Sequence, residues 1–262
     1  MNLEKISAEL NGIVMTTGDY ITGQRKTFSR DKVEEKSLNQ LVSYVDITAE
    51  EQLVKALSLL LPEAGFITEE NTSTTGTKTY NWIIDPLDGT TNFIHDVPVY
   101  SVSVALAKGN EMLVGAVYEL GRGELFAAYK GGGAWCNGNR IHVSDQKELK
   151  QSLIATGFPY YDFEQMEAYI QVLKHLLKNT HGLRRMGSAA VDMAYVACGR
   201  FEGFFEYGLN AWDIAAGALL VEEAGGKVID FSGGGDYLFG KTIISGNGAI
   251  DNDLLNIIKS HF

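Results

Sequence analysis

The chain holds only two cysteines, Cys136 and Cys198, in 262 residues. A disulfide framework is therefore excluded as the source of stability, and folding must rest on a buried core. Long apolar runs are also missing. No stretch approaches the roughly 18 consecutive apolar residues that a membrane-spanning helix needs, because glycine or charge interrupts each one. No apolar leader opens the chain, and a reducing cytoplasm is the expected compartment. Basic residues are in short supply: 22 Lys and Arg stand against 33 Asp and Glu, a formal net charge of −11. That balance speaks against the broad cationic surface from which nucleic-acid binding draws its affinity, and nucleic acid is not expected as the main partner. Internal repeats and low-complexity tracts are absent, so a repeat architecture is not expected.

What the chain does have is apolar content, 45% of its residues, enough for a large core in one big domain or two closely packed ones. Leu3, Ile6, Leu10, Ile13 and Val14 recur at helical spacing and predict an amphipathic helix of about four turns. The polar run 23–37 reads as a loop. Thr48 and Glu51 form a capping signal for a second helix, which turns Leu53, Val54, Leu57 and Leu60 inward and stops before Pro62. From Trp82 the texture changes to short β-rich runs at 100–106, 112–118 and 124–129, and an antiparallel meander is predicted. Beyond Asn137-Gly138, strands at 153–156, 201–205 and 227–230 alternate with helices near 163–178, 188–198 and 212–224. Two units are expected: an N-terminal α+β domain over 1–145 and a C-terminal α/β domain over 146–262, sharing an interface without a true linker.

An acidic protein that acts on an anion must neutralise its own site locally, and divalent cations are the simplest means. Attention therefore falls on Trp82-Ile83-Ile84-Asp85-Pro86-Leu87-Asp88-Gly89-Thr90-Thr91-Asn92. An apolar strand ending in Asp85 puts one carboxylate at the sheet's edge, and Pro86 fixes a turn that returns Asp88 to the same place. Gly89, Thr90 and Thr91 follow as backbone donors at a possible helix start, where a phosphate is favoured. Taken alone, this short pattern is also that of an ordinary turn with a helix cap. Glu69-Glu70, after the apolar Phe66 and Ile67, and Trp212-Asp213, at the head of an apolar helix, supply further acids at positions where metal ligands are commonly presented. The oxygen-only set, with no His or Cys cluster, favours magnesium over zinc. His95 reads as structural. Asp46 also reads as a helix-entry residue, and Lys36 as a solvated loop lysine.

The segments WIIDPLDGTTNFIH at 82–95 and WDIAAGALLVEEAGG at 212–226, with Thr68-Glu69-Glu70 and Val45-Asp46 before them, resemble the inositol monophosphatase family. This family lies in the superfamily of magnesium-dependent, lithium-sensitive phosphatases. The resemblance covers nearly the whole chain; Thr68 stands where relatives more often carry glycine. It implies a layered αβαβα sandwich of the inositol monophosphatase and fructose-1,6-bisphosphatase type, two to three Mg²⁺ ions, and a homodimer. One ion would be held by Glu69, Asp85 and the Leu87 carbonyl, a second by Asp85, Asp88 and Asp213, and a weaker third near Glu69. Glu69, Thr90 and Asp46 would activate water. Asp88, Gly89, Thr90, Gly187, Ser188, Ala189 and Glu206 would surround the substrate, and Lys36 would lie on a mobile catalytic loop. A carboxylate at 206 would accept hydrogen bonds from a polyol and repel a second phosphate. The segment 157–169, which lacks Lys and Arg, points the same way, whereas Arg184 and Arg185 could hold a second anion or serve an interface or a structural ion pair. The implied reaction is hydrolysis of an inositol monophosphate. The alternatives are a 3′-phosphoadenosine 5′-phosphate phosphatase, a fructose-1,6-bisphosphatase, or a regulatory binding protein that keeps the fold without turnover.

Overall fold

A computed structural model of the chain describes residues 1–29, 33–37, 40–73, 78–158 and 163–262. The chain opens with α1 (Leu3–Arg25), a hairpin of β1 (Val33–Ser37) and β2 (Gln40–Ser43), and α2 (Tyr44–Leu60). There follow β3 (Gly65–Thr68), β4 (Tyr80–Asp88), the short α3 (Thr90–His95), β5 (Ser101–Lys108), β6 (Glu111–Glu119), β7 (Glu124–Tyr129), β8 (Gly133–Cys136) and β9 (Asn139–Ile141). The remainder is β10 (Leu153–Thr156), α4 (Met166–Asn179), β11 (Gly182–Arg184), α5 (Ala189–Ala197), β12 (Gly203–Tyr207), α6 (Ala211–Glu223), β13 (Lys227–Ile229), α7 (Tyr237–Gly240), β14 (Thr242–Gly246) and α8 (Asp251–Lys259).

Strands β3 to β9 form a seven-stranded sheet in sequence order, and a five-stranded sheet runs β11-β10-β12-β14-β13. Five layers result. Helices α1 and α2 cover one face of the larger sheet, α5 and α6 lie between the two sheets, and α4 and α8 cover the outer face of the smaller one. Side-chain alternation along the strands explains the stacking. On β4, Trp82 and Ile84 join the core under α1 and α2, while Ile83 between them joins the central core with α5 and α6. The central helices meet a sheet on both sides and so carry no polar stripe: Ala189, Ala190, Ala194, Ala215, Ala216 and Ala218 are all buried. Their small side chains permit close approach, and Gly115 of β6 uses it, since a Cβ there would sit 3.1 Å from the Ala216 carbonyl oxygen. One core thus contains residues from both halves of the chain.

The expected layered sandwich is the observed fold, and the meander and the later alternation of strands and helices fall where the sequence puts them. Three local expectations are corrected. First, α1 runs on to Arg25 rather than stopping after about four turns, because Thr17, Gly18 and Ile21 extend its buried face. Second, the segment 23–37 is not a loop throughout: it contains the end of α1 and the strand β1. Third, α2 starts at Tyr44, capped by Ser43 with Asp46 reciprocating, so Thr48 and Glu51 lie inside the helix. Among the described residues, no helix is long and apolar enough to cross a membrane.

Candidate active site

Parallel pairing brings the first two acids together. Thr68 of β3 lies opposite Ile84 of β4, and the Glu69 amide donates to the Ile84 carbonyl at 3.3 Å. Glu69 and Asp85 are therefore the next residues outward on adjacent parallel strands, close enough for the Glu69 charge to act on Asp85. Asp85 alternates onto the same face as Ile83, the face that meets α5 and α6. Opposite it on β5 stands Ser103, whose hydroxyl donates to the Trp212 carbonyl at 3.4 Å. That contact docks the first turn of α6, and with it Asp213, beside Asp85.

Asp88 arrives through an irregularity in the β4–β5 register between Asp85 and Asp88. The Asp85 carboxylate closes the turn by accepting the Leu87 amide at 3.0 Å. Asp88 then accepts the Ser188 hydroxyl and the Ala190 amide, each at 2.7 Å, at the head of α5. Asp213 accepts the Asn210 amide at 2.6 Å. The end of β4 and the starts of α5 and α6 therefore converge, drawing on both halves of the chain.

The acids feel one another. Asp85, 2% exposed, has its carboxyl pushed well above the usual range, first by burial and then by the charges of Glu69, Asp88 and Asp213. Burial raises Asp88 to about 6, opposed by its bonds to Ser188 and Ala190 and by Arg185. Burial, with Asp88 beside it, raises Asp213 to about 7. A buried cluster of carboxylates with a backbone carbonyl at Leu87 in the same turn fits a hard divalent cation, which prefers such oxygens and relieves their repulsion. Among the described residues, no three His, Cys, Asp or Glu donors already close on one point as a finished ligand set. The acids meet as a charge cluster, partly tied to backbone amides.

Thr90 and Asp46 do meet. The Thr90 hydroxyl lies 3.0 Å from an Asp46 carboxylate oxygen and 3.1 Å from the Leu87 carbonyl. The other Asp46 oxygen accepts the Ser43 amide at 2.8 Å and the Ser43 hydroxyl at 2.7 Å. Asp46 is thus both a helix-entry residue and the partner of Thr90, and burial raises its pKa against those hydrogen bonds. Gly89 opens α3 at φ 95°, and a Cβ there would press on the Val99 and Gly187 carbonyls. Gly187, at φ 94°, has no room for a Cβ either, with the guanidinium of Arg185 and the amide of Asn92 at 2.6 and 2.7 Å. Ser188 gives its hydroxyl to Asp88, and Ala189 is buried. Glu206 lies at 7% exposure on β12, packed against Gly157. Its pKa is raised well above the usual carboxylate value by burial and then by Asp213, with Arg185 opposing. His95 is exposed at the end of α3. The side chain of Lys36, and residues 159–162 of the segment 157–169, lie outside the described residues.

Four contributors escape the sequence reading. Ser43 holds Asp46, and Asn92 ties α3 to the segment before α5 by donating to the Val99 and Met186 carbonyls at 2.7 and 2.8 Å. Asp192 lies buried near Glu206, Asp88 and Arg185, and its carboxyl is raised well above the usual range, chiefly by burial. Glu50 holds the segment after Glu69. Asn92 stands inside a quoted motif, and Asp46–Glu50 has a one-turn helical spacing; Ser43 is a standard capping type. Nothing in the local sequence marks Asp192.

Residues 2–261 match the inositol monophosphatase family. The chain belongs to that family. It is 40% identical over 229 residues to the inositol-1-monophosphatase of Mesorhizobium japonicum, covering 87% of this chain and 86% of the relative. It is 42% identical over 234 residues to the Nus factor SuhB of Pseudomonas aeruginosa, covering 87% and 86%. Among solved structures, inositol monophosphatase from Anabaena superposes with a TM-score of 0.87 at 32% identity, covering 100% of this chain and 98% of that one. Family membership accounts for the agreement in layer order, and it supports phosphatase activity.

Proposed function

We propose that this protein is a magnesium-dependent phosphomonoesterase with an inositol monophosphate as its leading substrate. One arrangement carries the reading: Glu69 and Asp85 follow each other outward on adjacent parallel strands, Asp88 meets the head of α5, α6 docks Asp213 against β5 beside them, and the Thr90–Asp46 pair adjoins. Glu69, Asp85 and the Leu87 carbonyl would hold one cation, Asp85, Asp88 and Asp213 a second, and a weaker third would lie near Glu69. Such ions neutralise charge at both ends of an in-line displacement and make water acidic enough to attack at neutral pH.

The chain's own residues then do the positioning. Thr90 donates to Asp46, which leaves the Thr90 oxygen free to accept from the attacking water while Glu69 holds the other side. The amides of Gly89 and Thr90, at a helix start where intrahelical acceptors are lacking, grip the phosphate. Glu206 accepts from the polyol hydroxyls. Water attacks phosphorus directly and the ester oxygen leaves, so no phosphorylated protein intermediate forms.

The test is magnesium-dependent phosphate release from inositol-1-phosphate, 3′-phosphoadenosine 5′-phosphate and fructose-1,6-bisphosphate. Inositol-1-phosphate should react fastest, and millimolar lithium should inhibit. A preference for either bisphosphate would reassign the substrate. A second reading is favoured by the relatives named Nus factor SuhB: the chain acts as a factor of that kind through binding. Absence of phosphate release from all three esters in saturating magnesium would favour it. A homodimer, a cytoplasmic location and a division near 145 are also proposed from the family and from the chain's texture.

A further inference from the structure

Helix α2 reaches the site twice. Asp46 and Glu50 stand one turn apart on its buried face, at 1% and 0% exposure. Asp46 meets Thr90 at the β4–α3 junction. Glu50 meets the segment after β3: one of its oxygens accepts the Glu70 amide at 2.7 Å, and the second accepts the Thr72 amide at 2.9 Å and the Thr72 hydroxyl at 2.8 Å. A fully buried carboxylate survives only where donors replace its water, and here all the donors named come from the segment that follows Glu69. Two backbone amides of that segment are thereby fixed to a helix whose other acid fixes Thr90.

We propose that Glu50 is a positioning residue: it clamps the 70–72 segment onto α2 and so holds Glu69 against Asp85 in register with the Thr90–Asp46 pair. The inference rests on the phosphatase reading of the same site. It adds that α2 sets the spacing between the acid expected to share the first cation and the hydroxyl expected to align water. Glu50 touches neither substrate nor reacting atoms. Its charge and its two oxygens both matter, because Gln would turn an amide N–H₂ toward one of the backbone N–H groups.

The experiment compares the parent with Glu50→Gln. Magnesium binding to the metal-free protein is measured by calorimetry, turnover of inositol-1-phosphate is followed against magnesium concentration, and folding is checked by near-ultraviolet circular dichroism. Loss of an outer-shell partner weakens metal affinity or activity by about 10–100-fold. The expected result is therefore a folded protein whose magnesium affinity and half-activating magnesium concentration both worsen by about tenfold, with KM for the ester at saturating magnesium unchanged. Equal magnesium affinity in parent and variant would overturn the proposal. Should Glu50→Gln fail to fold, Thr72→Val removes one of the three donors from the loop side. A smaller shift in the same direction supports the clamp, and no shift overturns it. A parent that binds magnesium but releases no phosphate would sink the phosphatase reading alone, because the calorimetric comparison still reports on Glu50.

Discussion

Each acid at the end of β4 is held by something other than a cation: Asp88 by Ser188 and Ala190, Asp213 by the Asn210 amide, Asp85 by the Leu87 amide. These bonds aim the carboxylates, and burial raises the pKa of all three, with neighbouring acids adding to the rise at Asp85 and Asp213. Asp88→Asn tests this balance. Asn keeps an acceptor for the head of α5 but removes the charge, so turnover should fall by several orders of magnitude while the circular dichroism spectrum is retained. Near-normal turnover would show that Asp88 is merely a helix cap. Glu206→Gln belongs to the same scale. It should change relative rates among phosphate esters, read from the same three-substrate panel, with magnesium dependence unaltered.

Helices enter the site by their first turns. Ser43 caps α2 and simultaneously donates to Asp46, so the element that starts the helix also orients the partner of Thr90. Losing an N-cap hydroxyl costs about 1 kcal/mol. Ser43→Ala should accordingly lower the melting temperature by about 2–4 °C for a chain of this size. Asp46 would keep the Ser43 amide but lose the hydroxyl. Turnover should therefore drop measurably while KM stays constant, and a stability loss with unchanged turnover would make Ser43 a cap and nothing more.

The whole molecule places α5 and α6 between two sheets, and a cluster of acids is the consequence of closing that gap. The raised carboxyl values carry a sign for stability. A folded-state pKa above the unfolded one means that the native protein binds more protons between the two values, so stability is present below about pH 4 and is lost as pH rises through about 6 for Asp88 and about 7 for Asp213. Metal-free protein should melt at falling temperatures from pH 5 to pH 8 in scanning calorimetry. Added magnesium should raise the melting temperature, more at pH 8 than at pH 5, because it binds the ionised form. A metal-free melting temperature that climbs over this range would contradict the assigned shifts.

Much of the architecture was legible in the residues themselves. The runs that became β5, β6, β7 and β10, and those that became α4, α5 and α6, carry their period in local hydrophobicity, which is a property of the chain before it folds. The far end of α1 was not legible, because its buried face there consists of Thr17, Gly18 and Ile21. Gly18 is used for contact with Tyr118, which would clash with any Cβ, and hydropathy does not register such a contact. The order and types of the acids were likewise fixed by the sequence, down to Glu69, Asp85, Asp88 and Asp213. What only the tertiary structure decided was which of them are neighbours and what aims them. Parallel pairing set Glu69 beside Asp85, a helix between the sheets brought Asp213 to Asp85 and Asp88, and Ser43, Glu50 and Asn92 took up holding roles. Hydrogen-bond partners across a sheet or between layers are settled by strand register and helix docking, and neither is written in the residues adjacent to the groups they bind.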